Sequence, residues 1–159
     1  MIELIKLEPT KTVSSGKLTL PIELRVRSRL RAKLDDGRDA GLFLPRGTLL
    51  RGGDLLSSKD GTVIEIISAE ETVSTVYCND STLLARAAYH LGNRHIPLQV
   101  ENGWLRYQHD HVLDDMLKQM DLEVKVEQAE FEPEAGAYQQ AANGHHHSHS
   151  HNHEHDHHN

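Results

Sequence analysis

The chain has 159 residues, with 24 acidic residues against 17 lysines and arginines, so its formal net charge at pH 7 is −7. This length can form one ordinary domain or two small ones, and the acidic balance argues against a nucleic-acid-binding protein. The single cysteine, Cys78, excludes an intramolecular disulfide and a cysteine-rich zinc site, and we expect a buried, inert thiol. No secretory signal and no apolar run of roughly 20 residues is present, which predicts a cytoplasmic protein without a membrane segment.

Residues 1–70 contain short apolar runs separated by turn residues. Apolar and polar residues alternate within the runs, and glycine, proline and aspartate separate them, as is typical of β-hairpins. We therefore predict a small all-β domain at the N-terminal end. Its predicted strands include the residues Leu18, Leu20 and Ile22, then Leu30, Ala32 and Leu34, then 42–44, and then 63–67.

Four arginines lie between Arg25 and Arg31, each followed or preceded by an apolar or small residue. In an extended chain this alternation places all four on one side. We expect them to form the solvent-exposed face of a strand, in preference to a binding patch.

Residues 71–131 follow a different pattern, in which strands and helices alternate. The order strand–helix–strand–strand–helix–strand is that of a ferredoxin-like βαββαβ domain, so the predicted fold class is α+β. The predicted elements are a strand at 72–77, a helix with an apolar stripe from Leu83 to Leu91, strands at 96–101 and 104–108, a helix with a stripe from Val112 to Met120, and a strand at 122–127.

Local signals mark the boundaries of these elements. Residues 79–81 offer N-cap candidates for the first helix, and Gly92 is a plausible C-terminal stop. Asn102-Gly103 is the strongest short signal for a hairpin. In the second helix, the pair Asp114-Asp115 is expected to lie on a solvated face.

Residues 132–159 are predicted to be a linker followed by a disordered, metal-binding tail. The tail cannot bury enough apolar surface to offset its ordering entropy, and neutral imidazole is a good ligand for Ni²⁺, Cu²⁺ and Zn²⁺. A purification tag is the alternative, but such tags are usually uninterrupted runs, whereas here histidine alternates with serine, asparagine and acids. The nine tail histidines are His145, His146, His147, His149, His151, His153, His155, His157 and His158.

Four further histidines lie outside the tail. His90 falls close to an apolar helical stripe, which favours a packed or half-exposed side chain. His95 alone cannot hold a metal, but two copies facing each other across a dimer axis could begin a site. His109 and His111 would point to one side of an extended segment and could reach one ion, which we favour; in the alternative, Asp110 caps the next helix and His111 is merely exposed.

No catalytic signature is present: the sequence has no H-E-x-x-H, phosphate-binding loop, G-x-S-x-G or dinucleotide motif, so we do not expect an enzyme. Three segments instead carry a resemblance to a known family. They are residues 28–54, residues 88–97 with the run Leu-Gly-Asn-Arg-His, and residues 110–113 with the run Asp-His-Val-Leu. In combination they resemble the UreE family of urease accessory proteins, over a stretch from about Ile2 to Phe131.

The resemblance implies a homodimeric nickel metallochaperone that delivers Ni²⁺ to apo-urease together with a GTPase accessory partner. It also implies an N-terminal β domain similar to the peptide-binding part of a co-chaperone, and a ferredoxin-like domain that dimerises and holds the metal. By the matched motifs, His95 takes the place of the interfacial nickel ligand and His111 that of a peripheral one. His109 and the tail are variable features of the family, so their roles rest on chemistry.

We therefore expect two His95 side chains to nucleate a Ni²⁺ site that His109, His111 or tail histidines complete. Imidazole does not select nickel, so Cu²⁺ or Zn²⁺ should be able to substitute in vitro. Two other functions remain open. One is a metal buffer or storage protein without a client; the other is a peptide-binding chaperone in which the histidines are incidental.

Overall fold

The computed structural model describes residues 1–9 and 11–136, so the predictions for the histidine-rich tail lie outside the described residues. Within that part the chain is α+β, with more strand than helix. No helix there is long and apolar enough to cross a membrane. The elements are β1 (Ile2–Leu4), β2 (Lys6–Glu8), β3 (Gly16–Leu20), α1 (Ile22–Arg25), β4 (Arg29–Lys33), β5 (Asp39–Phe43), β6 (Leu55–Ser57), β7 (Val63–Ser68), β8 (Glu70–Tyr77), α2 (Ser81–Asn93), β9 (Gln99–Glu101), β10 (Trp104–Gln108), α3 (His111–Gln119) and β11 (Lys125–Glu130).

The first seven strands form two small sheets, with strand orders β1-β5-β4 and β2-β6-β7-β3. The turn between β4 and β5 contains Gly37 at φ +93°, and the turn between β6 and β7 contains Gly61 at φ +85°. Both glycines take the left-handed conformation that such turns need, in line with the glycine-containing turns predicted between the strands of this part. Leucine and isoleucine side chains from the two sheets share one core, which includes Leu18, Leu42 and Ile64.

The expectation of an all-β N-terminal unit is wrong at Ile22, where one turn of helix, α1, begins. Pro21 is its N-cap at φ −70°. A proline cannot donate a ladder hydrogen bond, so β3 ends at Leu20 and the chain turns into a helix. The last residue of that turn, Arg25, is fully buried.

The expectation of four solvated arginines is therefore wrong for Arg25. Its guanidinium donates hydrogen bonds to the carbonyl oxygens of Leu20 and Leu50, both at 3.1 Å, and to that of Phe131. Its Nη1 also lies 3.2 Å from Oε2 of Glu132. The guanidinium is buried because it finds acceptors for its donors, which alternation in the sequence cannot reveal.

Residues 70–130 contain the predicted order β-α-β-β-α-β, in one antiparallel sheet of order β11-β8-β10-β9. Buried side chains of α2 and α3 pack with Val76, Leu105 and Tyr107 of the sheet in a second core. The predicted hairpin at Asn102-Gly103 joins β9 to β10. The last strand begins three residues later than predicted, because Asp121 at φ +63° follows α3 and Leu122 packs into the core.

A third, smaller core joins the two parts of the chain. Ile22 of α1, Val73 of β8 and Phe131 after β11 are all fully buried against one another. The polar contacts here are specific as well: the amide of Ile22 donates to Glu71 Oε2 at 2.9 Å. The side chain of Glu132 accepts from Arg51 Nη1 at 3.1 Å and from the amide of Gly52 at 3.0 Å. The segment after β11 is thus fixed against the N-terminal sheets.

Candidate metal-binding site

His95 lies just past the C-terminal end of α2. The helix begins at the predicted cap Asp80, whose Oδ1 accepts from the amides of Thr82 at 3.0 Å and Leu83 at 3.1 Å. Gly92 does not stop the helix, which continues to Asn93. Instead, His95 takes the left-handed conformation, at φ +55°, and its side chain is exposed. Helices commonly place glycine in this conformation, so an exposed histidine there is unusual.

His109 is held from one side by a buried polar cluster. Its Nδ1 lies 3.1 Å from Asp114 Oδ2 and 3.1 Å from Ser74 Oγ. Asp114 is only 4% exposed, and its Oδ1 accepts a 2.5 Å hydrogen bond from the hydroxyl of Tyr107. Burial, and then the contact with Asp114, raise the pKa of Tyr107 far above its ordinary value of 10, so the phenol remains a donor.

This cluster determines which ring nitrogen of His109 is free. A carboxylate oxygen can only accept, so the contact with Asp114 assigns the proton of neutral His109 to Nδ1. The lone pair then lies on Nε2, the ring nitrogen that none of the described contacts engages. The His109 side chain is 37% exposed, which leaves room for an incoming ion.

Asp110 and His111 are positioned by the start of α3. Asp110 is the N-cap, and its Oδ1 accepts from the amides of Val112 at 2.9 Å and Leu113 at 3.2 Å. The structure therefore confirms the alternative in which Asp110 caps α3. His111 is the first residue of the helix and its side chain is exposed. The joint binding of one ion by His109 and His111 stays a prediction.

The loop after α2 and the end of β10 meet at one end of the sheet. A cavity of about 270 Å³ is lined by Ile96 and Pro97 on one side and by Tyr107, His109 and Asp110 on the other. His95 directly precedes the first of these residues in the chain. The two loops that carry candidate ligands are therefore neighbours, although within residues 1–9 and 11–136 no three histidine, cysteine or acidic side chains converge to hold an ion.

The fourth internal histidine does not belong to this site. His90 is exposed on α2, where its ring meets that of Tyr89 edge-on with centroids 5.3 Å apart, so of the two expected states, packed or half-exposed, the packed one is wrong. Cys78 is half-buried, where full burial was expected, and its Sγ lies 3.5 Å from the carbonyl oxygen of Asp80. Neither side chain contributes a ligand to the neighbourhood of His109.

The chain segment that leads to the tail runs beside the His95 loop. The amide of Glu132 donates to Gln99 Oε1 at 2.9 Å, and the amide of Glu134 donates to the carbonyl oxygen of Leu98 at 2.8 Å. Leu98 is only three residues beyond His95. The last described residues before the tail in the sequence therefore lie close to the His95 loop.

Sequence reasoning missed the residues that orient His109. The pair Asp114-Asp115 was expected on a solvated face, which is correct for Asp115 and wrong for Asp114. A signal was present: Asp114 lies between Leu113 and Leu117, on the stripe of α3 that packs into the core. A carboxylate on an apolar stripe needs a buried partner, and Tyr107 and His109 supply it.

Comparison with known proteins gives consistent matches along the chain. The family model for the N-terminal domain of UreE urease accessory protein matches residues 3–69, and that for the C-terminal domain matches residues 71–157. The urease accessory protein UreE of Pseudomonas putida strain GB-1 is 63% identical over 139 residues, covering 87% of this chain and 84% of the relative. The protein of the same name from Citrobacter koseri is 58% identical, covering 92% and 97%, and that from Alcanivorax borkumensis is 53% identical, covering 91% and 89%.

Proposed function

Because the chain belongs to the UreE family of urease accessory proteins, and so serves urease maturation, we propose that it carries Ni²⁺ to apo-urease as a homodimer. Nickel is the cargo of this reaction, and the protein binds and releases it without catalysing a chemical step. The GTPase accessory protein is the second partner in the cytoplasm. The observation that carries the proposal is the imidazole of His109, which Asp114 fixes through Nδ1 and which lines one cavity with Ile96 and Pro97 of the His95 loop.

A dimer is part of the proposal because one copy offers too few converging ligands within the described residues. Two His95 side chains, one from each copy, would begin the site. Exposed apolar side chains in the last turns of α2 and the first turn of α3 support such an interface: Tyr89 is 65% exposed and Val112 is 52% exposed. The two helices also touch here, since Arg94 Nη2 lies 3.8 Å from the sulfur of Met116.

The attachment point of the tail supports a role for its histidines in the same site. Ten residues lie between Glu134, bound at Leu98, and His145, so the two are eleven residue steps apart. Fully extended, such a segment spans at most about 36–40 Å. A segment of this length would allow the first tail histidines to reach His95 and His109. In the proposal, one or more of these tail histidines completes the site.

The chemistry of the ligands sets the expected behaviour. Imidazole binds borderline metals, so Cu²⁺ should bind more tightly than Ni²⁺, and Zn²⁺ should compete. Binding requires neutral imidazole, so nickel uptake should fall as the pH drops through about 6.5, the ordinary pKa of histidine. Nickel preference in the cell would then come from metal availability and partners.

Isothermal titration with Ni²⁺, with the mass of the same samples measured by light scattering, tests the proposal. The informative variant is His95→Gly, because glycine adopts φ +55° without strain and the backbone should be kept. A chain ending at Asn143 isolates the contribution of the tail. His90→Ala, which removes an exposed histidine from α2, the helix that precedes His95, is the control. We expect the His95 variant to lose the dimer-linked site, the truncation to lower the stoichiometry, and the control to match the native chain.

Nickel binding that is unchanged in the His95→Gly variant would contradict the interfacial site. A second candidate function is a metal buffer without a client, which the nine tail histidines fit equally well. Urease activation at limiting nickel separates the two. A carrier should raise the yield of active urease in proportion to its nickel load, whereas a buffer of equal capacity should lower it.

A further inference from the structure

A basic cavity lies in the N-terminal part of the protein, and no histidine of the described residues lines it. It forms where two connectors meet: the one between α1 and β4 and the one that follows β5. The carbonyl oxygen of Ser28 accepts from the amide of Leu44 at 2.8 Å and holds the two connectors together. The cavity has a volume of about 670 Å³ and is lined in part by Arg27, Arg29 and Arg46, and we call it the arginine cavity.

The three arginines are exposed, and none forms a salt bridge among the residues that the structure describes. The arginines at positions 31, 86 and 94 likewise form no salt bridge among these residues, so the feature that distinguishes the three is that they line one cavity, in a chain whose net charge is −7. Arg29 is steadied by Phe43, since its guanidinium carbon lies 5.7 Å from the ring centroid in a cation–π contact. The cavity therefore combines unpaired positive charge with at least one oriented guanidinium.

We propose that the arginine cavity binds an acidic polypeptide segment of a partner protein. The planar guanidinium fork pairs with carboxylates in bidentate geometry, and three of them around one cavity favour a cluster of aspartates or glutamates. The concentrated positive potential would also steer an acidic partner to this face of an otherwise acidic protein. This site is independent of nickel and goes beyond the function proposed above.

The neighbouring sheet favours a polypeptide over a small anion. β4 begins at Arg29, next to the cavity, and the order β1-β5-β4 leaves one edge of β4 without a partner among the described strands. An extended chain that leaves the cavity could add to this edge through its backbone groups. Arg31 lies two residues along the strand, on the same side as Arg29, and is exposed to meet a further acidic side chain.

The test is fluorescence anisotropy with a labelled hexaglutamate peptide and the full chain at pH 8, where imidazole of ordinary pKa, about 6.5, is neutral, so that the tail histidines add no positive charge that could bind the peptide. Hexaglutamine controls for charge-independent binding. The variant Arg29→Glu with Arg46→Glu reverses two cavity charges. The control, Lys59→Glu with Arg86→Glu, makes the same change in net charge at exposed residues outside the cavity. Thermal unfolding and nickel titration verify that both variants fold and still take up the metal.

We expect hexaglutamate to bind the native chain, to weaken as salt is raised, and to weaken at least about tenfold in the cavity variant and no more than about twofold in the control. Four results would overturn the proposal: no binding to the native chain, equal binding of hexaglutamine, equal loss in both variants, or displacement by ATP at concentrations far below those of free hexaglutamate. The last result would mark the cavity as a site for small phosphates. Because nickel is absent from the binding assay, the outcome is independent of the carrier function.

Discussion

The substitution Asp114→Asn should change which nitrogen of His109 is available to a metal. Asp114 joins Tyr107 to His109 through its two carboxylate oxygens, at 2.5 Å and 3.1 Å. In an isosteric asparagine, the amide oxygen can still accept from the Tyr107 hydroxyl, and the amide nitrogen then takes the place of Oδ2. That nitrogen can only donate, so His109 Nδ1 must become the acceptor and the ring proton moves to Nε2.

The expected magnitude follows from the role of Asp114 as a partner of a metal ligand. Loss of such a partner typically weakens metal binding by about 10- to 100-fold. The fold should be affected less, since both hydrogen bonds are replaced by neutral ones, and we expect a loss of about 1 kcal/mol in the free energy of unfolding. The effect on nickel should therefore exceed any effect that general destabilisation could cause.

Two measurements test this on a chain ending at Asn143, which simplifies the histidine spectrum. Long-range ¹H–¹⁵N correlation spectra report the tautomer of His109, and nickel titration reports affinity. Asp115→Asn is the matched control, because Asp115 is the next residue, has the same charge and is exposed. If the His109 tautomer stayed the same in Asp114→Asn, or if Asp115→Asn weakened nickel binding equally, the inferred role of Asp114 would be refuted.

Three further predictions concern the fold. Arg25→Met should lower the free energy of unfolding in urea by about 3–5 kcal/mol, because it removes a buried, charged donor from three carbonyl oxygens and one of the cations beside the half-buried Glu132, which keeps its bonds from Arg51 and the amide of Gly52. Exposed Arg27→Met is the control, and a loss below about 1 kcal/mol would contradict the prediction. Burial raises the pKa of Glu127, but the contacts with Lys125, Tyr77 and Arg106 together lower it by more. The pKa of this carboxyl therefore lies below its ordinary value of 4.5. The stabilising contribution of Glu127 is present above about pH 4.5 and is lost as the pH falls through the lowered pKa. Glu127→Gln should therefore make the free energy of unfolding fall less steeply on the acid side, and an unchanged pH dependence would contradict the prediction. Asp110→Ala should cost about 1 kcal/mol as a lost cap and leave nickel affinity unchanged, and a large nickel effect without destabilisation would instead favour a ligand role for Asp110.

The features that the sequence predicted correctly are those that local chemistry decides. Asn102-Gly103 forms its hairpin because glycine can adopt φ +82° at that turn, whatever the rest of the chain does. Asp80 caps α2 through amides only two and three residues away. The apolar stripes of α2 and α3 follow from helical periodicity, and the buried residues Leu84, Ala87 and Leu91 fall on the expected face.

The features that it missed depend on partners that lie in other elements of the fold. Arg25 is buried because a carbonyl 106 residues away, at Phe131, accepts from its guanidinium. Asp114 is buried because Tyr107 of β10 donates to one of its oxygens, while His109, which also contacts Ser74 of β8, lies against the other. A charged residue on an expected apolar face is ambiguous until its partner is known, so the orientation of His109 could not be predicted although the residue itself was singled out.

In the proposed carrier, the ligands differ in how firmly they are held, and this difference bears on release. His109 is oriented before an ion arrives, whereas His95 and His111 are exposed, with no partner named for either ring among the described contacts. An ion held by a few such imidazoles gains affinity mainly from further histidines at high effective concentration, which the attachment at Leu98 would provide. Affinity built up in this way is lost one ligand at a time as a client offers its own. A closed cage of preoriented ligands would bind more tightly and would hand over nickel more slowly.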